Sequence, residues 1–187
     1  LRRLGCRIRP YEKNPGDTFG QLLKARIFLK KREPRQAQTI LDKVVKASPD
    51  NADAHYYLAL AHYGQGSGNQ GQASLNKALE LAPDHALANL LKAETLLGEQ
   101  DFEQALARTT SVIEAKPREV RAYLLKGRIH LAREELKQAR SAFEKAIDID
   151  PGMTAGYLFL GRMDQQEEQY AQALERFRQA MGKDPRS

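Results

Sequence analysis

Apolar residues recur at intervals of three and four along much of the chain, which is the spacing of one face of an α-helix. One such run consists of Leu136, Ala139, Ala142, Phe143, Ala146 and Ile147. The same spacing returns 34 residues later at Tyr170, Ala173, Leu174, Phe177, Ala180 and Met181. An earlier run contains Ala37, Ile40, Leu41, Val44 and Val45. The pattern predicts an all-α protein made of amphipathic helices.

Prolines divide this pattern at a fixed interval. Six of them are 34 residues apart: Pro15, Pro49, Pro83, Pro117, Pro151 and Pro185. Proline has no amide hydrogen and disfavours helix in the residue before it, so each is expected to end a helix. Asp50, Asp84 or Thr154 nearby can cap the helix that follows. A fixed period of this length predicts stacked helix pairs. The resulting repeats, numbered 1 to 5, are 18–51, 52–85, 86–119, 120–153 and 154–187, after an irregular basic lead-in of residues 1–17.

Small residues recur at three positions, counted from the first residue of each repeat. Position 8 holds Ala25, Ala59, Ala93, Gly127 and Gly161. Position 20 holds Ala37, Gly71, Ala105, Ala139 and Ala173. Position 27 holds Val44, Ala78, Val112, Ala146 and Ala180. Larger side chains there would push two helices beyond the usual 8–10 Å separation, so these positions predict close helix crossings.

The combination resembles the tetratricopeptide repeat (TPR) family, in its bacterial form. The match is close in AYLLKGRIHLAREELKQARSAFEKAIDIDP and GYLFLGRMDQQEEQYAQALERFRQAMGKDP. These segments have the family's aromatic residues at positions 4 and 24, which are Tyr123, Tyr157, Phe143 and Phe177. Repeats 1 to 3 depart from the pattern, with Gln21, His55 and Asn89 at position 4 and Leu41, Leu75 and Thr109 at position 24. The resemblance implies a right-handed α-solenoid of antiparallel helix pairs, whose first helices line a concave groove that binds a protein partner.

The family's groove positions 2, 5 and 9 share one face of each first helix. They supply the candidate partner-binding residues Phe19, Leu22, Arg26, Asp53, Tyr56, Leu60, Leu87, Leu90, Glu94, Arg121, Leu124, Arg128, Leu158 and Arg162. The apolar residues at position 5 either face a ligand or pack against neighbouring first helices. The arginines at positions 2 and 9 of repeats 4 and 5 either contact an acidic ligand or remain solvated, with Glu94 pairing to Arg128.

Position 6 is apolar in every repeat: Leu23, Tyr57, Leu91, Leu125 and Phe159. TPR proteins that grip the carboxylate of a chaperone tail use polar or basic residues there, so this chain is not expected to form such a clamp. An apolar groove edged by arginine suits an amphipathic helix or an extended segment with apolar anchors and some acidic residues. The first hypothesis is therefore a non-catalytic protein–protein interaction scaffold, with a larger bacterial assembly as one setting for it.

Charge provides an alternative. Residues 1–34 contain ten lysines or arginines and three acidic residues, so this segment has a net charge of +7. The remaining residues carry −1, which gives the whole chain a net charge of +6. The alternative function is binding of a polyanion, either nucleic acid or an anionic polymer, through this region. Few aromatic residues are available there for base stacking, which makes nucleic acid the less favoured ligand. A third hypothesis is a regulatory or targeting domain attached to an enzyme outside this sequence.

Candidate catalytic chemistry is lacking. The histidines are His55, His62, His85 and His130, and their spacing does not place two on one metal ion. The stretch YGQGSGNQGQ lacks the Gly-Lys-Ser or Gly-Lys-Thr of a phosphate loop and is expected to form a long mobile turn. Glu134, Glu135, Glu167 and Glu168 are expected to be solvated charges in turns. The sequence predicts no enzyme, cofactor or metal, contains no membrane-spanning run, and sets no compartment.

The last predicted helix leaves apolar residues without a following helix to cover them. They include Leu174, Phe177 and Met181. Stacked repeats need a polar outer face at their ends. Either more chain follows, or this helix contacts another copy or a partner.

Overall fold

The structure, a computed structural model, describes residues 17–183. These residues form ten α-helices and no strand, which confirms the all-α prediction. The helices are α1 Thr18–Lys30, α2 Pro34–Ala47, α3 Ala52–Gly64, α4 Gly68–Leu81, α5 Ala86–Gly98, α6 Phe102–Ala115, α7 Val120–Ala132, α8 Leu136–Ile149, α9 Thr154–Gln166 and α10 Tyr170–Lys183. The predicted lead-in lies outside the described residues except for Asp17.

The helices separate into two compact blocks. The N-terminal block extends to His85 and contains α1 to α4, and the C-terminal block begins at Ala86 and contains α5 to α10. Each odd-numbered helix packs against the next helix in the sequence, and α2–α3, α6–α7 and α8–α9 also pack against each other. Each block is thus a stack of antiparallel helix pairs. The continuous stacking of repeat 2 on repeat 3 stays a prediction.

The core of each block lies between successive pairs. In the N-terminal block the buried residues Ala25, Ala37, Leu41, Leu58 and Ala61 form one cluster. In the C-terminal block, one cluster joins α5, α6 and α7, with Leu90, Leu96, Val112 and Ile129 among its members. A second cluster joins α8 to α9 through Phe143, Leu160 and Met163.

The turn within each helix pair has one residue in the left-handed region of backbone conformation. It is position 15 every time: Arg32, Gly66, Gln100, Glu134 and Glu168, with φ between 60° and 76°. The following residue donates its amide hydrogen to a carbonyl in the last turn of the first helix, for example Asp101 to Leu96 at 2.9 Å and Glu135 to His130 at 2.9 Å. The left-handed residue therefore closes the helix and reverses the chain within three residues.

The Gly-rich stretch is not the long mobile turn that its composition suggested. The turn is Gln65–Ser67, as short as those of the other pairs, and Gly68 and Gly71 lie within α4. A Cβ atom at Gly71 would be 2.8 Å from the ring of Tyr63, so this glycine is needed for close packing of α3 and α4. The expectation was wrong because the sequence alone does not distinguish a glycine that makes room for a neighbouring ring from a glycine in a loop.

The predicted helix caps also need correction. Asn51, rather than Asp50, caps α3, since its side chain accepts a hydrogen bond from the amide of Ala54 at 2.9 Å. Thr154 is the first residue of α9, where Met153 occupies the cap position without a side-chain bond. An aspartate or threonine close to a proline does not by itself identify the N-cap residue, because the N-cap is the residue just before the backbone becomes helical.

Candidate partner-binding surface

The N-terminal block presents several of the predicted groove residues on α1. Phe19 is 70% exposed, and Leu22 is half-buried. The guanidinium of Arg26 lies 5.7 Å from the centre of the Tyr57 ring, within the range of a cation–π contact. Leu60 on α3 is half-buried. These residues offer a mixed apolar and basic surface.

Tyr56 and Asp53 belong to a cluster at the start of α3. The Tyr56 ring is 7% exposed, 5.0 Å from the ring of Tyr57 and 5.4 Å from that of His85. Asp53 contacts His85 through Oδ1 and Nε2 at 2.9 Å. Tyr56 therefore packs mainly against its neighbours and has little surface left for a ligand.

In the C-terminal block, the apolar groove positions differ in burial. Leu90 is 6% exposed and belongs to the core cluster of α5 to α7. Leu87, Leu124 and Leu158 are half-buried. Of the two roles left open for position 5, packing describes Leu90, whereas Leu124 and Leu158 retain surface.

The three predicted arginines of the C-terminal block have different surroundings. Arg128 donates from Nη1 to Oε1 of Glu94 at 3.1 Å, joining α7 to α5, and both side chains are about half exposed. Arg121 and Arg162 are exposed and have no carboxylate within 4.0 Å among residues 17–183. A surface pair such as Arg128–Glu94 contributes only about 0–1 kcal/mol. The two unpaired arginines are thus the available positive charges on this face.

An ion cluster missed by the sequence analysis lies between α8, α9 and α10. Asp164 is 1% exposed, and its Oδ1 accepts a hydrogen bond from Nη1 of Arg140 at 2.6 Å. Arg140 also donates from Nη2 to Glu167 at 3.0 Å, and Arg176 lies 3.9 Å from Oδ2 of Asp164. Partial burial opposes the charge of Arg140, but the hydrogen bonds to Asp164 and Glu167 raise its pKa. The available clue was a carboxylate at position 11, where the other repeats have phenylalanine, histidine or leucine.

A second polar cluster lies in the turn between α7 and α8. The carboxylate of Glu135 contacts Nδ1 of His130 at 2.6 Å and accepts from Nε of Arg133 at 2.9 Å. The hydrogen bond with His130 lowers the pKa of Glu135, and the charge of Arg133 adds to this effect, although desolvation opposes it. Glu135 and Glu167 therefore form ion pairs that the sequence did not predict, although Glu167 stays exposed. Turn position alone could not reveal the partner of Glu167, because Arg140 lies on α8 of the preceding repeat.

The histidines occupy packing or hydrogen-bonded positions. His55 and His62 are buried, and Nε2 of His55 lies 2.9 Å from the carbonyl oxygen of Pro49. His85 and His130 contact the carboxylates described above. Over the described part of the chain, three or more histidine, cysteine or carboxylate residues do not converge as a metal site would require.

A cleft of about 810 Å³ lies between α6, α7 and α8. It was not predicted, because it forms between helices of two repeats. Its lining includes Lys126, Lys137 and Lys145 together with Glu144 and Asp148. The mixed charges do not define an anion site. Among the helices described, none is long and apolar enough to cross a membrane.

The tetratricopeptide repeat family profile matches residues 22–68 and 90–154, which is more than half of the chain. The chain belongs to the tetratricopeptide repeat family. The TPR fold is a scaffold for protein–protein interaction in general, and the family's members are typically non-catalytic. No curated protein is similar enough in sequence to count as a relative.

Several solved TPR structures share the fold. MamA 41-end from Desulfovibrio magneticus RS-1 is 24% identical, with 93% of this chain and 99% of that chain covered and a TM-score of 0.68. PilF of Pseudomonas aeruginosa is 20% identical, with 89% and 76% covered and a TM-score of 0.77. PilW, a widely conserved type IV pilus biogenesis factor, is 19% identical, with 89% and 77% covered and a TM-score of 0.78.

Proposed function

We propose that this TPR chain is a non-catalytic scaffold that binds an acidic protein segment along the first-helix face of its C-terminal block. The observation that carries the proposal is the pair of exposed arginines, Arg121 and Arg162, without a carboxylate partner among the described residues. They accompany Leu124 and Leu158, which are half-buried on the same helices. Such a surface offers charge to acidic side chains and limited apolar area to an anchoring residue.

The pairing of Arg128 refines this site. Its charge is already partly matched by Glu94. A ligand carboxylate would compete with Glu94 for Arg128, whereas it could approach Arg121 or Arg162 directly. Arg121 and Arg162 are therefore expected to contribute more to binding, through charge-assisted hydrogen bonds.

The test is affinity capture with the purified chain, followed by quantitative binding of the partner obtained. Arg121→Glu with Arg162→Glu should weaken binding at least about tenfold, since two attractive contacts become repulsive. Lys116→Glu with Arg118→Glu is the matched control, because it also reverses two positive charges, at exposed residues between α6 and α7. Equal loss in the control and in the variant of Arg121 and Arg162 would indicate a general charge effect and contradict the proposed site.

Binding of a polyanion is the second candidate. It is supported by five exposed basic residues on or just after α1: Lys24, Arg26, Lys30, Lys31 and Arg32. The probe is a fluorescent heparin oligosaccharide or a single-stranded oligonucleotide, titrated at increasing salt. Phosphate or sulfate contacts predict a steep loss of affinity with salt. Binding that is unchanged by Lys30→Ala with Lys31→Ala would count against this function.

A further inference from the structure

The exposed large apolar side chains of the described residues are concentrated on two helices. Seven such residues are exposed, and six of them lie on α1 or α10. On α1 they are Phe19, Leu23 and Ile27, at 70%, 39% and 46% exposure. On α10 they are Tyr170, Leu174 and Met181, at 65%, 50% and 53%. The intervening helices expose only Leu136, at 37%.

The interior of each block shows what covers these positions elsewhere. In the C-terminal block, Phe159 at position 6 and Met163 at position 10 of α9 pack against Phe143 and Ile147, at positions 24 and 28. The rings of Phe159 and Phe143 are stacked, with centres 4.6 Å apart and planes inclined by 6°. A first helix therefore covers the preceding second helix through positions 6 and 10.

The N-terminal block uses the same register. Tyr57 and Ala61, at positions 6 and 10 of α3, pack with Leu41 and Val45, at positions 24 and 28 of α2. The contact is thus a repeated one, formed by the same four positions in both blocks. Each of the two surfaces that form this contact is also found exposed. On α1, positions 6 and 10 are exposed as Leu23 and Ile27, and on α10, position 28 is exposed as Met181.

We propose that α10 of one molecule packs against α1 of a second copy of this chain. In this arrangement Leu23 and Ile27 of one copy cover Phe177 and Met181 of the other, in the register of the internal contacts. The occupant is a second copy because α1 itself presents an apolar face at the positions that cover a second helix. The contact joins two different surfaces, so it extends into chains of copies rather than closing as a symmetric dimer.

The proposed contact has a distinct dependence on salt. Alongside its apolar face, α1 carries the exposed residues Lys24 and Lys30. On α10, the exposed Arg178 is balanced by the exposed Glu175, and Arg176 lies 3.9 Å from Asp164. The contact therefore depends mainly on apolar burial, which a kosmotropic salt such as sulfate strengthens. Association between copies should become tighter with such a salt, opposite to the binding of an acidic segment or a polyanion.

The experiment is sedimentation equilibrium of the 187-residue chain over a range of protein concentrations at low and high sulfate. The unmodified chain should form dimers and larger species whose dissociation constant decreases with sulfate. Two double variants each remove one surface: Leu23→Glu with Ile27→Glu on α1, and Leu174→Glu with Met181→Glu on α10. Either should raise the dissociation constant at least about 100-fold, because apolar area is lost from the contact and two carboxylates must be desolvated there.

Mixing the two double variants is the decisive step. Each retains the surface that the other lost, so the mixture should form a 1:1 dimer that grows no further. Leu136→Glu, at the remaining exposed apolar residue, should leave association unchanged. If a glutamate variant has a lower melting temperature than the parent, the corresponding serine variant replaces it.

Three results would overturn the proposal. One is a chain that stays monomeric at millimolar concentration, which would leave both faces to other partners or to further segments of a longer protein. Another is dimerisation that survives the α1 variant but not the α10 variant, which would indicate α10 packing on α10. The last is a mixture of the two variants that remains monomeric. Arg121 and Arg162 take no part in this contact, so the result is independent of the proposed partner site.

Discussion

The helix pairs α5–α6 and α7–α8 have matching backbones but differ where their helices cross. Both join a 13-residue helix to a 14-residue helix through three residues, with a left-handed residue at Gln100 or Glu134. At positions 8 and 24, however, α5–α6 has Ala93 and Thr109, and α7–α8 has Gly127 and Phe143. Ala93, Thr109 and Phe143 are fully buried. The two pairs therefore fill the same helix crossing differently: α5–α6 uses an alanine and a threonine, and α7–α8 uses a glycine and a large ring.

The α7–α8 crossing shows why the division matters. A Cβ atom at Gly127 would overlap Cε1 of Phe143, so the ring occupies the space that an alanine methyl group needs. The same arrangement is found in α9–α10, where a Cβ at Gly161 would be 2.7 Å from the ring of Phe177. The residues at positions 8 and 24 are therefore constrained as a pair, because protein interiors are close-packed.

Removing the ring should have the largest effect. Phe143→Ala is expected to lower the free energy of unfolding by about 3–5 kcal/mol, through lost apolar burial and a remaining cavity. Thr109→Ala, at the same position in α5–α6, removes far fewer atoms and should have a clearly smaller effect. Urea denaturation followed by circular dichroism measures both. Equal losses would show that position 24 contributes the same stability in both pairs, contrary to this expectation.

Filling the glycine should have the next largest effect. Gly127→Ala is expected to destabilise by about 1–3 kcal/mol, because overpacking against Phe143 outweighs the better helix propensity of alanine. Gly98→Ala is the control, since no atom lies within 4 Å of a Cβ built there. That control should be neutral or slightly stabilising.

A double variant tests whether Gly127 and Phe143 share one volume. Once Phe143→Ala has removed the ring, Gly127→Ala should become neutral or stabilise by up to about 1 kcal/mol, through helix propensity alone. Additive effects of the two substitutions would mean that the residues do not share one volume.

The turns should respond alike, because the backbone is what the two pairs share. Gln100→Gly and Glu134→Gly should each stabilise by about 0.5–1 kcal/mol, since the relief of left-handed strain exceeds glycine's added entropy in the unfolded chain. The reverse change, Gly66→Ala, should destabilise by about 1 kcal/mol from strain, as open space surrounds that position. Thermal unfolding measures all three. Opposite signs at Gln100 and Glu134 would contradict the shared backbone.

The smallest difference concerns the residue after the left-handed position. Asp101 caps α6 by accepting from the amide of Gln104, whereas Glu135 contacts His130. Because the pKa of Glu135 is lowered from 4.5, its ionised form stabilises the fold above that value, and the contribution is lost as pH falls through the lowered pKa. Glu135→Gln should therefore reduce stability at pH 7 and match the unmodified chain in acid.

Unfolding of both proteins by urea across a pH series tests this expectation. Glu134→Gln at neutral pH is the control, because its carboxylate is exposed and forms no ion pair within residues 17–183. A stability difference at Glu135 that persists unchanged into strong acid would exclude charge as its cause.

The all-α fold could be predicted because proline spacing and apolar spacing are local properties of the sequence. The burial of Tyr56 and Leu90 could not, since it depends on how deeply each first helix packs against its neighbours. The left-handed turn residues could not be predicted from the sequence, because four of the five are not glycine. The Asp164–Arg140 contact joins residues of two different repeats, and the paired roles of positions 8 and 24 appear only when the ring is placed against the glycine.

Uniform turns have a consequence for how such a chain can be rearranged. Because the turn within every helix pair has three residues and the same left-handed closure, a pair could be transplanted as a cassette without altering the local path of the backbone. The side chains that contact the neighbouring helix pairs would then decide whether the transplanted pair packs. A cassette with Phe143 in its second helix suits a successor that offers an aromatic ring like Phe159, whereas Arg140 would require a carboxylate such as Asp164 in the incoming helix.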